Sequence, residues 1–445
     1  MTRVLLIYPY FKPRHDRSSF RFPPLGLGYL ASSLESCGYM PELLDCTFLD
    51  REEAWQRATQ SKADIVGIYS MVSMLEDILT FARLMRDRCD LLVAGGPLPS
   101  CSPETFHGDF DLVVVGEGEE TIQEIVRAYE AGLDFSGING LQYRHPQQGI
   151  TIRTAKRDLQ PHLDQIPFPA RHLFQNEKYI DHWKRKYSYS ATSVITTRGC
   201  PFSCEFCSNA VFGTTYRERS SENVLDEVEE VLALGYDRIH FADDVFTLNK
   251  KRMIQICEDI LARGLDFKWE CLGRVDSIDV ATAKAMKKSG CDRILFGIES
   301  GDESILKLMN KRISPNQARL AIETAREAGL KTGAFFILCY PGDTNDTVIK
   351  TIKFAASLPL DYLSFTMPYP LPGTMLSQRI NGKGQSSPPI DNSLVYEREF
   401  SQAKMRFAIL KGQIQFGIEK RSDSPLSLAK KPFEILTDSL FRMLK

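Results

Sequence analysis

The sequence predicts an α/β fold made of two successive strand and helix series, with a small helical cap at the C-terminal end. Three observations lead there. The first 130 residues alternate short apolar runs with segments of helical spacing, a second and longer alternation begins near Ser193, and strand periodicity stops after Gly373. A chain of 445 residues, 43% hydrophobic and 25% charged, is long enough for two or three domains with sizeable cores. Its 55 Lys and Arg stand against 57 Asp and Glu, so no strong overall field draws it to nucleic acid or an acidic membrane, while a local basic patch stays open.

In the first series, strands are predicted at Val4 to Tyr8, Glu42 to Leu44, Ile65 to Tyr69, Leu91 to Ala94 and Leu112 to Val115. Helices are predicted at Leu27 to Ser36, Leu75 to Arg88 and Thr121 to Glu130. This alternation implies a doubly wound parallel sheet with ligand loops at the carboxyl ends of its strands. From Gly137 to about Tyr189 the text turns to Pro161, Pro167, Pro169 and a basic run at Lys184 to Lys186. It reads as a connector whose charges form a solvated face.

The second series predicts strands at Val194 to Thr197, Ile239 to Phe241, Lys268 to Leu272, Ile294 to Gly297, Thr332 to Leu338 and Tyr362 to Thr366. Helices fall around Asn223 to Leu234, Lys251 to Arg263, Val280 to Lys288, Asn316 to Ala328 and Thr344 to Ala356. Six such units suit a partial parallel barrel with its site at the carboxyl-terminal mouth. Beyond it, Asn381 to Pro389 has loop composition, and Leu394 onward reads as the helical cap. The expected boundaries are 1–140, a linker at 141–190, the barrel at 191–375 and the cap at 376–445. No repeat of solenoid period is visible.

Met1 to Tyr10 enters a strand directly, without a secretory n-region, and no apolar run approaches the roughly 20 residues of a membrane span. A cytoplasmic protein is expected, with peripheral membrane contact by the C-terminal tail left open. Of eleven cysteines, Cys37, Cys89, Cys257, Cys271 and Cys291 lie in or beside apolar runs and read as small buried hydrophobes. Only Cys200-Pro201-Phe202-Ser203-Cys204-Glu205-Phe206-Cys207 has ligand spacing, which favours a reducing compartment.

Three soft thiolates can hold three irons of a cubane and leave the fourth iron open for a substrate. The competing readings are a zinc site without its fourth ligand, or three buried thiols. Zinc sites pair such knuckles with a distant second pair, and none follows here. Gly199 and Pro201 fit a tight loop at the mouth of the first barrel strand.

This spacing, with aromatic Phe206 just before the last Cys, resembles the signature of the radical S-adenosylmethionine (SAM) superfamily. The resemblance implies a 4Fe-4S cluster on Cys200, Cys204 and Cys207 and SAM bound at its open iron. It extends through roughly 190 to 375. Phe241-Ala242-Asp243-Asp244 stands where the superfamily places polar groups for the SAM amino group; Asp244 is favoured and Asp243 secondary, against a reading of both as helix caps. Arg274 could clamp the SAM carboxylate, or form a surface salt bridge. Gly297-Ile298-Glu299-Ser300-Gly301 resembles the run whose Glu contacts SAM, and its glycines allow either close ligand approach or a turn. Cys339-Tyr340-Pro341-Gly342-Asp343-Thr344 resembles a P-G-E-T pattern, with Asp343 for Glu preserving charge and Cys339 where Gly is common; Pro370-Leu371-Pro372-Gly373-Thr374 completes it.

The first domain resembles the cobalamin-binding module fused to many radical SAM enzymes. The matching text is Pro23 to Ala31 with Gly26, Ala94-Gly95-Gly96-Pro97, and Val115-Gly116-Glu117-Gly118-Glu119. Such loops accept a flat macrocycle or a phosphate by backbone approach. The D-x-H-x-x-G motif with its cobalt-ligating His is absent. His15 therefore reads as a surface residue, and the loop around Tyr8 to Arg14 is expected beneath the cobalt.

The resemblance implies an enzyme of the broad group that includes magnesium-protoporphyrin cyclase and many natural-product and lipid methylases. The 4Fe-4S cluster reduces SAM to a 5'-deoxyadenosyl radical, which abstracts hydrogen from an unactivated carbon of a small-molecule or lipid substrate; with cobalamin present, that carbon is methylated. A flavodoxin or ferredoxin is the expected electron donor, and no residue is singled out as catalytic. Rivals are a cobalamin-independent radical dehydratase, cyclase or coupling enzyme, and a non-catalytic corrinoid or iron-sulfur sensor. A tRNA methylthiotransferase lacks support, since neither its N-terminal three-Cys pattern nor an RNA-binding barrel is recognisable.

Overall fold

The structure is a computed structural model that describes residues 2–11, 20–145, 149–381, 398–420 and 430–444. His15, Lys12 to Arg14 and the loop-like run at 382–389 lie outside the described residues. The chain divides into two compact units, Met1–Cys200 with Ser208–Ile239, and Pro201–Cys207 with His240–Lys445.

The first unit begins with β1 (Val4–Tyr8), α1 (Leu25–Glu35), β2 (Glu42–Asp45), α2 (Arg51–Gln60), β3 (Ile65–Tyr69) and α3 (Leu75–Met85). Then come β4 (Leu91–Gly95), α4 (Pro97–Cys101), β5 (Leu112–Val114) and α5 (Glu119–Ala131). The runs Val-Leu-Leu-Ile-Tyr, Ile-Val-Gly-Ile-Tyr and Leu-Leu-Val-Ala-Gly are buried over their first four residues. Continuous apolar strands of this kind are what helices on both faces of a parallel sheet require. The sheet order is β2-β1-β3-β4-β5-β6-β7, where β6 (Leu141–Arg144) and β7 (Thr151–Arg153) add an antiparallel edge. Connections leave β1 in opposite directions, so the topological switch point lies at the carboxyl ends of β1 and β3.

Hydropathy spacing gave no sign of α2, because only Ala54 and Ala58 of its ten residues are buried. Its signal was instead a cap: Asp50 accepts from the Glu53 N–H at 2.8 Å. The interval read as a connector carries β6, β7 and α6 (Asn176–Tyr187). Tyr179 and Trp183 of α6 are buried; the Tyr179 hydroxyl donates to Asp45 Oδ2 at 2.7 Å and Trp183 Nε1 to the Arg21 carbonyl at 2.6 Å. Lys184, Arg185 and Lys186 are exposed in its last turn, next to the negative end of the helix dipole.

The second series runs β8 (Ala191–Val194), β9 (Thr197–Arg198), β10 (Arg217–Glu218), α7 (Ser221–Ala233), β11 (Arg238–Phe241), α8 (Lys250–Ala262), β12 (Lys268–Gly273) and α9 (Val280–Lys288). It continues with β13 (Cys291–Glu299), α10 (Glu303–Leu308), α11 (Pro315–Glu327), β14 (Lys331–Ile337), α12 (Asn345–Ser357) and β15 (Tyr362–Thr366). The strands lie in sequence order, β8-β11-β12-β13-β14-β15, and the pairs from β12 to β15 are parallel.

One strand sits differently from expectation. The first barrel strand is Ala191–Val194 rather than Val194 to Thr197, and Thr197–Arg198 forms a separate antiparallel pair with β10. Buried Thr192 and Ser193 make β8 look polar in sequence although it is buried throughout. Near the C-terminal end, α13 (Met375–Asn381) is followed by α14 (Gln402–Glu419), which packs on α12, and by α15 (Lys430–Met443), which packs on α14. Gly412 of α14 permits this approach, since a Cβ there would come within 2.5 Å of the Phe365 ring. Among the described residues, no helix is long and apolar enough to cross a membrane.

Candidate functional site

The loop carrying Cys200, Cys204 and Cys207 begins at a backbone position that only glycine fits. Gly199 has φ +85°, and a Cβ there would lie 2.2 Å from the Thr215 carbonyl oxygen. The preceding Arg198 is 3% exposed and pairs with Glu117 at 3.2 Å and Glu119 at 2.5 Å. Arg217 reaches Glu117 at 2.9 Å. The Gly-Glu-Gly-Glu run, read from sequence for its glycines, thus contributes two carboxylates that fix the entry to the cysteine loop.

In the second unit, Glu205 is buried and Phe206 half-buried. Glu205 accepts from Arg379 at 2.5 and 3.0 Å and from the Tyr340 hydroxyl at 2.6 Å. The Phe206 ring meets the Tyr340 ring edge-on at 6.4 Å, and Lys311 Nζ stands 5.8 Å from its centroid. Asn310 Nδ2 donates to the Ser203 carbonyl at 2.8 Å, and the Arg274 guanidinium lies 3.6 Å over the Phe202 ring. The segment Met309 to Lys311, which no sequence motif marked, therefore packs against the cysteine loop.

At the strand ends, Asp243 is buried. Asp244 reaches solvent, yet desolvation by the mouth and then the Asp243 charge push its carboxyl above the ordinary value. Neither caps α8, whose N-cap is Asn249, accepting from the Arg252 N–H. Arg274 forks onto Asp276 at 3.0 and 2.9 Å, so both of those guanidinium contacts are already taken. Glu299 ends β13 at φ +71° and binds Lys311 at 3.0 Å; both side chains are largely buried. A Cβ on Gly297 would sit 2.5 Å from Glu299 Oε1 and one on Gly301 2.6 Å from Phe354, so these glycines make room for protein neighbours. The Ser300 hydroxyl, fully buried, pairs with Thr351 at 3.0 Å.

Cys339 explains itself: its φ is +62°, the left-handed region where glycine is the usual occupant. Asp343 does not simply preserve the charge of a Glu. Its carboxyl folds back onto the Tyr340 N–H at 2.8 Å and the Thr347 hydroxyl at 2.6 Å, and burial pushes it up to about 7. A carboxyl whose folded value is raised stabilises most fully below its unfolded value, and that stability is lost as pH rises through about 7. Wild type should therefore lose up to roughly 4 kcal/mol relative to Asp343→Asn between about pH 4 and 7. Urea midpoints across that range read it, and parallel profiles for the two proteins would refute it.

The thiol chemistry suits an iron-sulfur cluster. Cys200 and Cys204 are half-buried and Cys207 exposed, whereas Cys257, Cys271 and Cys291 are buried with thiols pushed up by desolvation; Cys37 and Cys89 are only half-buried. Among the described residues no group of three His, Cys, Asp or Glu is gathered as for a metal ion. The three thiols share one loop.

In the first unit, glycines stand at the carboxyl ends of β4 and β5, Gly96 beside the end of β3. Gly96 has φ +114° and Gly116 φ +92°. A Cβ on Gly96 would lie 3.1 Å from the Ser70 carbonyl and 3.3 Å from the Tyr69 ring, while Gly26, Gly95 and Gly116 have nothing nearer than 3.8 Å. Gly118 instead makes room for Leu30, at 3.0 Å. Tyr8 stacks on Tyr10 with centroids 5.8 Å apart and meets Tyr69 at 5.3 Å; burial pushes the Tyr69 hydroxyl up to about 12 and Tyr8 higher. Open glycine backbone beside neutral phenol rings fits a flat macrocycle.

Two families match in succession: the B12 binding domain over residues 16–126 and the radical SAM superfamily over residues 194–355. An uncharacterized methyltransferase of Pyrococcus horikoshii is 37% identical over 366 residues, spanning 80% of this chain and 77% of that one. The anaerobic magnesium-protoporphyrin IX monomethyl ester cyclase of Rubrivivax gelatinosus is 28% identical over 410 residues, spanning 86% and 70%. The cobalamin-dependent SAM radical enzyme OxsB, solved with aqua-cobalamin and SAM bound, superimposes with a TM-score of 0.77 at 19% identity, over 99% of this chain and 72% of that one; at that identity the likeness is one of fold.

Proposed function

The chain belongs to the B12-binding radical SAM enzymes, and from that membership we propose that it is a cobalamin-dependent methyltransferase acting on an unactivated carbon of a small molecule or lipid. The observation that carries the reading is the 37% identity to an uncharacterized methyltransferase across 80% of the chain. When bound, the 4Fe-4S cluster and SAM supply a 5'-deoxyadenosyl radical for hydrogen abstraction, and cobalamin carries the methyl group.

The chain's own part is to bind, orient and exclude water. Cys200, Cys204 and Cys207 hold the cluster. Gly26, Gly95, Gly96 and Gly116 give backbone approach to the corrinoid, with Tyr8 and Tyr69 as apolar walls. Asp244 receives the SAM amino group, while Glu299 and Ser300 shape the adjoining wall. A flavodoxin or ferredoxin in the cytoplasm would supply the electron.

Anaerobically loaded protein given candidate substrates, SAM, reductant and hydroxocobalamin should form 5'-deoxyadenosine and S-adenosylhomocysteine together with a methylated product. Formation of 5'-deoxyadenosine without corrinoid retention would favour the cobalamin-independent rivals. Asp244→Asn and Glu299→Gln should each weaken SAM binding by roughly 1.5 to 3 kcal/mol, about 10- to 150-fold, with iron content intact. Wild-type affinity by calorimetry in both variants would remove these residues from the SAM site.

A further inference from the structure

We infer that Glu205, locked by Arg379 and Tyr340, is the positioning residue that sets the geometry of the cysteine loop around its cluster. This rests on the three cysteines holding a 4Fe-4S cluster. Glu205 sits between Cys204 and Cys207, where a carboxylate beside thiolates is electrostatically out of place, and it is 6% exposed.

Its bonds account for that placement. The carboxylate takes two guanidinium contacts from Arg379, Nε to Oε1 at 2.5 Å and Nη2 to Oε2 at 3.0 Å. The Tyr340 hydroxyl adds a third bond at 2.6 Å. The backbone is held as firmly: the Glu205 N–H donates to the Met309 carbonyl at 2.9 Å, and its carbonyl accepts from the Leu376 N–H at 2.8 Å. Side chain and main chain are thus fastened to three segments, after α10, after β14 and on α13. A bidentate Arg–carboxylate pair fixes orientation as well as distance.

The Cys207 N–H closes a turn onto the Cys204 carbonyl at 3.1 Å, so rotation at Glu205 moves two thiols together. The influence of Glu205 on the thiols passes through the loop. Arg379 lies in a region with no readable motif, yet through this contact α13 becomes part of the cluster's support. Loss of such outer support lowers metal affinity on the order of 10- to 100-fold, and displaced thiolates alter the cluster's electronic structure.

The test uses the full chain, reconstituted anaerobically with iron and sulfide. Arg379→Ala and Glu205→Gln should release iron to a chelator at least 10-fold faster than wild type. The g values of their dithionite-reduced clusters should shift; because Arg379→Ala strands a buried carboxylate and lowers the melting temperature, the chelation rates are compared well below melting. Arg379→Lys, which keeps the charge and loses the fork, should fall between. Should Arg379→Ala fail to fold, Arg379→Lys and Tyr340→Phe carry the comparison, since both leave the carboxylate a cationic partner. Wild-type chelation rates and g values in the folded variants would overturn the inference, whereas a wild type that takes up no 4Fe-4S cluster would overturn the cluster reading itself.

Discussion

Changing Cys200, Cys204 and Cys207 together to Ala should abolish the 4Fe-4S charge-transfer absorption of the anaerobic protein and all SAM cleavage, while leaving both units folded. Replacing three small side chains, of which Cys207 is exposed and the other two half-buried, removes little packing. The Glu205 and Arg198 anchors that shape the loop remain. Five other cysteines, Cys46, Cys257, Cys271, Cys291 and Cys339, are buried and have thiols pushed up by desolvation, so they cannot readily substitute as thiolates. An unaltered 4Fe-4S paramagnetic resonance signal in the triple variant would refute the assignment. Unchanged circular dichroism distinguishes lost ligands from lost fold.

The residues that were readable in sequence are those whose cause is local. β1, β3 and β4 announce themselves because burial on both faces demands an unbroken apolar run, and the cysteine loop because ligand spacing is short-range. Locality also explains the failures. Thr192 and Ser193 disguise β8, since hydropathy scores a hydroxyl as polar even where the strand is buried. Gly297 and Gly301 suggested a ligand or a turn, and only the fold reveals that Glu299, Lys311 and Phe354 fill the space a side chain would need. Supporting ion pairs are less visible still: Glu117 and Arg198 are 81 residues apart, Glu205 and Arg379 174 apart. An acidic residue inside a run of thiols, or a Gly-Glu-Gly-Glu run at a strand end, is the trace such pairs leave, because a buried carboxylate needs a distant cation that local spacing cannot name.

Glu117→Ala is therefore expected to destabilise the first unit by about 3 to 5 kcal/mol, because it strands buried positive charge. Glu117 is 6% exposed and joins two guanidiniums, Arg198 at 3.2 Å and Arg217 at 2.9 Å. Arg198 keeps Glu119, while among the described residues the other partners of Arg217 are carbonyls, those of Gln160, Phe212 and Thr215. Carbonyls satisfy its donors but leave its charge uncompensated in a poorly solvated site. Glu119→Ala, at a carboxylate 15% exposed, leaves both arginines with Glu117 and should cost less. Glu117→Gln keeps shape and one acceptor and should fall between. Because Arg198 leads directly into Gly199 and Cys200, Glu117→Ala should also speed iron loss from the reconstituted cluster at temperatures well below melting. Urea unfolding of the cluster-free proteins orders the three variants; a Glu117→Ala midpoint at or above that of Glu119→Ala would show that the buried pair contributes nothing beyond its carbonyl contacts.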